Sequence, residues 1–109
     1  MGLPQSVFSV NVASGITLSS GLDLGISWRR IYLEVPTMAS GSLYVQAASK
    51  LDSTYRRVVH NSSMTDFSIN SALSQKVVPV PADGLRFVKV ESSSGCTDVI
   101  TTYKFICGD

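Results

Sequence analysis

Apolar and polar positions alternate with a period of two through most of this chain. In "SVFSVNV" (6–12), Phe8, Val10 and Val12 fall on one side, and Ser9 and Asn11 on the other. In "RRIYLEVP" (29–36), Ile31, Leu33 and Val35 share a side opposite Arg30, Tyr32 and Glu34. Pro36 ends that run, because proline brings no N–H to a strand ladder. "SLYVQA" (42–47) repeats the pattern with Leu43, Val45 and Ala47, and "DFSIN" (66–70) with Phe67 and Ile69. Period two over short runs is the mark of half-buried strands. "KVVPV" (76–80) carries Pro79 and reads as an edge or end segment, while "ITLSSGLDLG" (16–25) reads as two short apolar pieces broken at Gly21. "LRFVKVE" (85–91) and "TTYKFIC" (101–107) read as a closing hairpin.

Turn-forming clusters separate the runs: "VASG", "MASGS", "KLDS", "HNSSMTD", "PADG" and "SSSG". In "SKLDSTYRRVV" (49–59), Lys50–Ser53 makes a turn, Tyr55 starts the next strand and Val58 anchors one face. Arg56 and Arg57 alternate across that strand, so they do not form one continuous patch. No segment sustains a 3.6-residue period with caps, and "NSALSQKV" (70–77) is long enough only for a single turn. The pattern predicts an all-β, antiparallel β-sandwich or barrel of about eight strands. The predicted core is Val10, Ile31, Leu33, Val35, Leu43, Val45, Phe67, Ile69, Val88, Val90 and Phe105.

A length of 109 residues fits one domain, 1–109, with 1–5 as a flexible lead-in. The net charge of +1 offers no field to steer the chain toward nucleic acid or an acidic membrane, and neither is an expected partner. No apolar run is long enough to span a bilayer, and "MGLPQSVFSV" lacks the basic start and apolar core of a signal peptide. Gly2 and Ser6 fit the myristoylation pattern, but so short a pattern arises readily by chance. Asn61 in "NSS" fits a glycosylation acceptor, which means nothing without secretion.

Candidate chemistry is sparse. His60 is the only histidine and follows a predicted strand, so it reads as a surface residue and not as a base or metal ligand. The acidic residues are scattered singly, serines sit in turns, and the glycine-rich pieces lack a following helix to cradle phosphate. The expectation is no catalytic activity, no metal and no cofactor. In the predicted closing hairpin Cys96 sits at the tip, and Cys107 lies about 17 Å away along the returning strand. A disulfide needs Cα atoms within about 7 Å, so both thiols are expected free, in a reducing compartment.

What remains is interface chemistry. Only 16% of residues are charged, Ser and Thr are abundant, and tyrosine and arginine stand together on predicted solvent faces. Such residues are enriched at protein interfaces and dominate their energetics. Trp28, Arg29, Arg30, Tyr32 and Tyr55 are the candidate partner-binding anchors. Trp28 carries a second reading of equal weight, as a plug at one end of the sandwich.

The order of the pieces "TLSSGLDLG", "RRIYLEVPTMASGSLYVQAAS", "DSTYRRVV", "FSI", "VVPVPADGLRFVKVES" and "YKFICGD" resembles small β-sandwich virion proteins of tailed bacteriophages, above all head decoration (cement) proteins. The stretches "VPTMASGSLYVQAAS", "STYRRV" and "LRFVKVES" also resemble jelly-roll and galactose-binding-like sandwiches. The first resemblance implies a structural protein with no substrate. It would bind across major capsid protein subunits on the outer capsid surface, after synthesis in the host cytoplasm. A homo-oligomer is implied, and capsid three-fold positions would suit a trimer. The alternative is a tail, baseplate or receptor-binding module that recognises carbohydrate. That module would need an exposed aromatic platform, for which Trp28 and Tyr32 are the candidates, beside Asp or Asn partners.

Overall fold

The computed structural model describes residues 5–12, 16–37, 41–59, 64–73, 75–81, 85–93 and 101–108. Nine strands run along them: β1 (Gln5–Val12), β2 (Leu22–Trp28), β3 (Arg30–Glu34), β4 (Ser42–Ala48), β5 (Arg56–Arg57), β6 (Ser68–Asn70), β7 (Val77–Pro79), β8 (Leu85–Ser92) and β9 (Thr101–Gly108). The only helical turn among the described residues is a 3₁₀ turn at Ser71–Leu73. It lies inside the segment expected to make one turn.

The strands form two antiparallel sheets. The front sheet has the order β1-β9-β3-β7, and the back sheet β2-β8-β4-β5, with β6 also paired to β4. The chain therefore crosses between sheets at every connection except those joining β4, β5 and β6, which is jelly-roll topology. β5 and β6 are two pieces of one edge strand. Along β4 the partners run Ala47↔Arg56 and Gln46↔Arg57, then Tyr44↔Ser68, Leu43↔Ile69 and Ser42↔Asn70. Between the pieces, Val58 N–H donates to the Val45 carbonyl at 2.8 Å, and Phe67 N–H donates to the Val58 carbonyl at 2.8 Å. Next to those points a bridge pairs Val59 with Asp66. Counted as one, the two pieces bring the sandwich to the expected eight strands; His60 and Asn61 lie outside the described residues.

The expected closing hairpin does not exist. β8 lies in the back sheet between β2 and β4, and β9 lies in the front sheet between β1 and β3. Alternation fixes which side of a strand is apolar and says nothing about its neighbour, and both strands gain two partners by parting. The hairpin argument for the cysteines falls with it. Cys107 is a free and fully buried thiol on β9, pushed up to a pKa of about 11 by loss of solvent. Cys96 lies outside the described residues.

All eleven residues of the predicted core are buried, and Leu33, Val45, Ile69, Val88 and Phe105 are wholly so. Leu24, Trp28, Val58, Val78, Val80 and Tyr103 join them. Pro79 is on an edge strand as expected, because β7 has β3 on one side only. The turn at Lys50–Ser53 also forms. Ser53 N–H donates to the Lys50 carbonyl at 3.3 Å, and the Ser53 hydroxyl donates to the same carbonyl at 3.1 Å.

β2 is the strand that alternation missed. It pairs with β8 at Leu22↔Val88 and Asp23↔Phe87, then rejoins at Trp28↔Leu85 after a bulge. Gly25 sits in that bulge at φ 86°, where a side chain would be strained. The Asp23 carboxylate accepts the Gly25 N–H at 2.8 Å and holds the bulge. Five steps along β2, from Asp23 to Trp28, meet only two along β8, from Phe87 to Leu85; the three extra residues leave Ile26 exposed, so the strand lost its signature in the sequence.

Candidate functional site

The front sheet presents a row of side chains across all four strands. Residues directly opposite in an antiparallel ladder share a face. Val7 stands opposite Ile106, Ile106 opposite Tyr32, and Tyr32 opposite Pro79. The buried residues Leu33, Phe105 and Val10 take the other face, so this row is on the solvent side. It is apolar from end to end but for the tyrosine hydroxyl, and three strand spacings make it roughly 14 Å wide. Val7 is 62% exposed. The next row reads Ser9, Lys104, Glu34 and Val77, placing opposite charges beside each other on the two central strands. Arg30 stands beyond the apolar row, opposite Gly108, and Arg29 is exposed at the corner between β2 and β3.

The five sequence-predicted anchors therefore divide. Arg30 and Tyr32 share the outer front face, and Arg29 adjoins it. Trp28 does not reach the surface. It is 8% exposed, with its indole N–H donating to the Leu24 carbonyl at 2.7 Å and its ring tilted against Phe8 at a centroid distance of 6.4 Å. The plug reading of Trp28 describes its position, because the bulge turns the ring inward. Tyr55 immediately precedes β5 of the back sheet, outside any strand and apart from Arg29, Arg30 and Tyr32.

Around Tyr55 lies a surface hollow of about 420 Å³, lined by Ser20, Gly21, Leu51, Asp52, Ser53, Tyr55 and Lys89. The Tyr55 hydroxyl donates to the Leu51 carbonyl at 2.9 Å, and the Lys89 ammonium lies 4.5 Å from the ring centroid. Partial burial pushes the phenol's pKa above its ordinary value, with Asp52 and Asp23 adding to the shift. Gly21 makes room for this ring, since a Cβ there would stand 2.6 Å from the Tyr55 hydroxyl.

Beside the hollow runs a lattice of ion pairs. Arg57 donates from Nε to Glu91 at 2.9 Å, from Nη2 to Glu91 at 2.5 Å and from Nη1 to Asp66 at 2.8 Å. Its guanidinium also lies 3.9 Å from the Tyr44 ring centroid, and Gln46 donates to Glu91 at 2.7 Å. Arg86 clamps Asp23 with bonds of 2.8 and 3.2 Å and lies 4.9 Å from the Phe87 ring centroid. The Arg57 hydrogen bond, opposed by partial burial, holds the Glu91 carboxyl below its ordinary value. The Arg86 hydrogen bond, with the Gly25 N–H, does the same for Asp23. The acids are single in sequence, yet Asp66 and Glu91 meet at one arginine. Pairs separated by 34 and 63 residues leave no local signal.

Among the described residues no group of three or more His, Cys, Asp or Glu could hold a metal ion. Among the described residues no helix is long and apolar enough to cross a membrane.

No protein-family model and no curated protein sequence matches the chain. Among solved structures it is similar to the SPBc2 prophage-derived protein YomS, with a TM-score of 0.66 and 14% identity over 97% of this chain and 94% of that one. At that identity the likeness is one of fold, and it extends over nearly the whole of both chains.

Proposed function

We propose that this chain is a bacteriophage structural protein that decorates and stabilises the capsid by binding across major capsid protein subunits on the outer shell. The observation that carries the reading is the end-to-end fold likeness to a prophage-derived protein, taken with an outer face built for docking. On that face the apolar row Val7–Ile106–Tyr32–Pro79 is flanked by Arg30 and Arg29. Tyrosine and arginine set on an apolar patch are the residues that concentrate binding energy. A small contact repeated over many subunits holds a shell through the sum of its copies.

The test is co-sedimentation with capsids that lack the protein. Arg30→Ala and Tyr32→Ala should fold with an unchanged circular dichroism spectrum and lose capsid binding, each by about 2 kcal/mol or more if it is a hot spot. Wild-type occupancy by both variants would refute the docking face.

The Tyr55 hollow supports a second reading, as a carbohydrate-recognising tail, baseplate or receptor-binding module. Its aromatic ring, Asp52 and the Ser20 and Ser53 hydroxyls are the partners a sugar uses. Lys89 over that ring competes for the stacking surface. Glycan binding lost in Tyr55→Ala, without any binding to capsids, would establish this reading in place of the first.

A further inference from the structure

Among the described residues the sandwich has four sheet edges, and three carry devices that prevent another strand from pairing there. β7 is three residues long and contains Pro79. β2 is broken by its bulge, with Gly25 at φ 86°. β5 has two residues, both arginine. Short length, proline, bulges and charge are the means by which edge strands avoid pairing. β1 has none of them. It is eight residues long, "QSVFSVNV", with no charge, proline or glycine, and its register with β9 is unbroken from Gln5↔Gly108 to Val12↔Thr101. No strand lies on its other side among the described residues.

We propose that β1 is a dimerisation edge, and that two copies of this chain pair their β1 strands antiparallel about a two-fold axis through Ser9. The residues select the occupant and narrow the register to an axis at Ser9 or Val10; we take Ser9, and crosslinking through Ser9 separates the two, because an axis at Val10 would set Ser9 opposite Asn11 of the partner subunit. A strand that pairs with its own copy places any charge near the axis against itself, and β1 carries none. With Ser9 opposite Ser9 of the partner subunit, Phe8 stands opposite Val10 of the partner subunit, and Val10 opposite Phe8 of the partner subunit. Both pairs lie on the inward face, where Phe8 is only partly buried and packs against the core. An aromatic beside a β-branched residue is among the favourable cross-strand pairs. Moving the axis by one residue, to Phe8, would instead set Val10 opposite Ser6 of the partner subunit. The result is a continuous eight-stranded front sheet. Its symmetry is two-fold, the commonest among soluble oligomers, and not the three-fold suggested by the phage resemblance. β1 is the end strand of the outer docking face and contributes Val7 to it, but Arg30 and Tyr32 lie on β3, two strands away from the paired edge, so Arg30→Ala and Tyr32→Ala should leave the dimer intact and the two failures can be told apart.

Sedimentation velocity on the full chain tests the proposal. The wild type should be a dimer. Ser9→Lys, at an exposed position on the outer face, should leave the circular dichroism spectrum unchanged. It should weaken dimerisation roughly fivefold or more by setting like charges opposite each other, and high salt should restore the dimer. In a Cys96→Ser background, Ser9→Cys should form an interchain disulfide on oxidation, because opposite Cα atoms stand about 4.5–5.5 Å apart. Val7→Cys in the same background should not crosslink, since the two copies would lie roughly 13 Å apart. A wild type that stays monomeric at its highest soluble concentration overturns the proposal. So does a dimer indifferent to Ser9→Lys, or equal crosslinking through Val7→Cys.

Discussion

Leu33→Ala is the sharpest test of how this sandwich is filled. Leu33 is wholly buried on β3, between Phe105 of β9 and Val78 of β7. Leucine-to-alanine changes in cores cost roughly 2–5 kcal/mol, and the place within that range depends on how far the site can collapse. Here the strand is hydrogen-bonded on both sides, so neither neighbour can slide into the hole. The cost should fall in the upper half, about 3–5 kcal/mol. A chain of this length has a total stability of roughly 5–16 kcal/mol, so the variant loses a large share of it. At roughly 4–8 °C per kcal/mol, the midpoint of thermal unfolding should drop by 12 °C or more. The single tryptophan reports the transition, because Trp28 is 8% exposed and becomes hydrated on unfolding. Urea unfolding followed by its fluorescence gives the difference directly. Val77→Ala is the control: Val77 is 54% exposed and sits opposite Glu34, one position along, so it should lose less than about 1 kcal/mol. Equal losses at the two sites, or a loss below about 1 kcal/mol at Leu33, would mean that the opposite face of β3 is turned inward.

Gly21→Ala places a Cβ against the Tyr55 hydroxyl, so the ring must swing and its bond to the Leu51 carbonyl breaks. The expected cost is about 1–2 kcal/mol by urea unfolding, with the raised phenol pKa falling back toward 10.0 in an ultraviolet pH titration; wild-type values for both would show that the ring does not rest on Gly21. Asp23 and Glu91 titrate below their ordinary values of 3.8 and 4.5 in the folded chain, so their stabilisation is present above those values and is lost as pH falls through the lowered ones. Urea midpoints should fall on acidification from about pH 5 to pH 3, and Arg57→Gln should flatten that dependence by removing the Glu91 partner; an identical slope in the variant would place the acid sensitivity elsewhere.

The candidate site was legible only in part. Arg30 and Tyr32 were readable as outward residues from the alternation of β3 alone. Nothing in the sequence said that Ile106, Val7 and Pro79 would line up beside Tyr32, because those contacts are set by the order of strands in the sheet. Tyr55 and Trp28 were grouped with them for their chemistry, and the fold set one just before β5 of the back sheet and sent the other into the core. The Arg57 and Arg86 clamps escaped notice for the same reason, since their carboxylates lie far along the chain.

By itself the sequence determined the side of each regular strand that faces the core. A side chain's direction in a strand depends only on its own backbone, so period two delivered every predicted core residue, the turn at Lys50–Ser53 and the edge position of Pro79. Tertiary structure alone decided who lies beside whom. In a jelly roll most ladders join strands distant in sequence, and their pairing minimises exposed apolar surface over the whole molecule. That global requirement parted β8 from β9, set β5 and β6 along the same strand β4, folded the bulged β2 inward at Trp28, and left β1 as an uncharged edge with no second partner strand among the described residues.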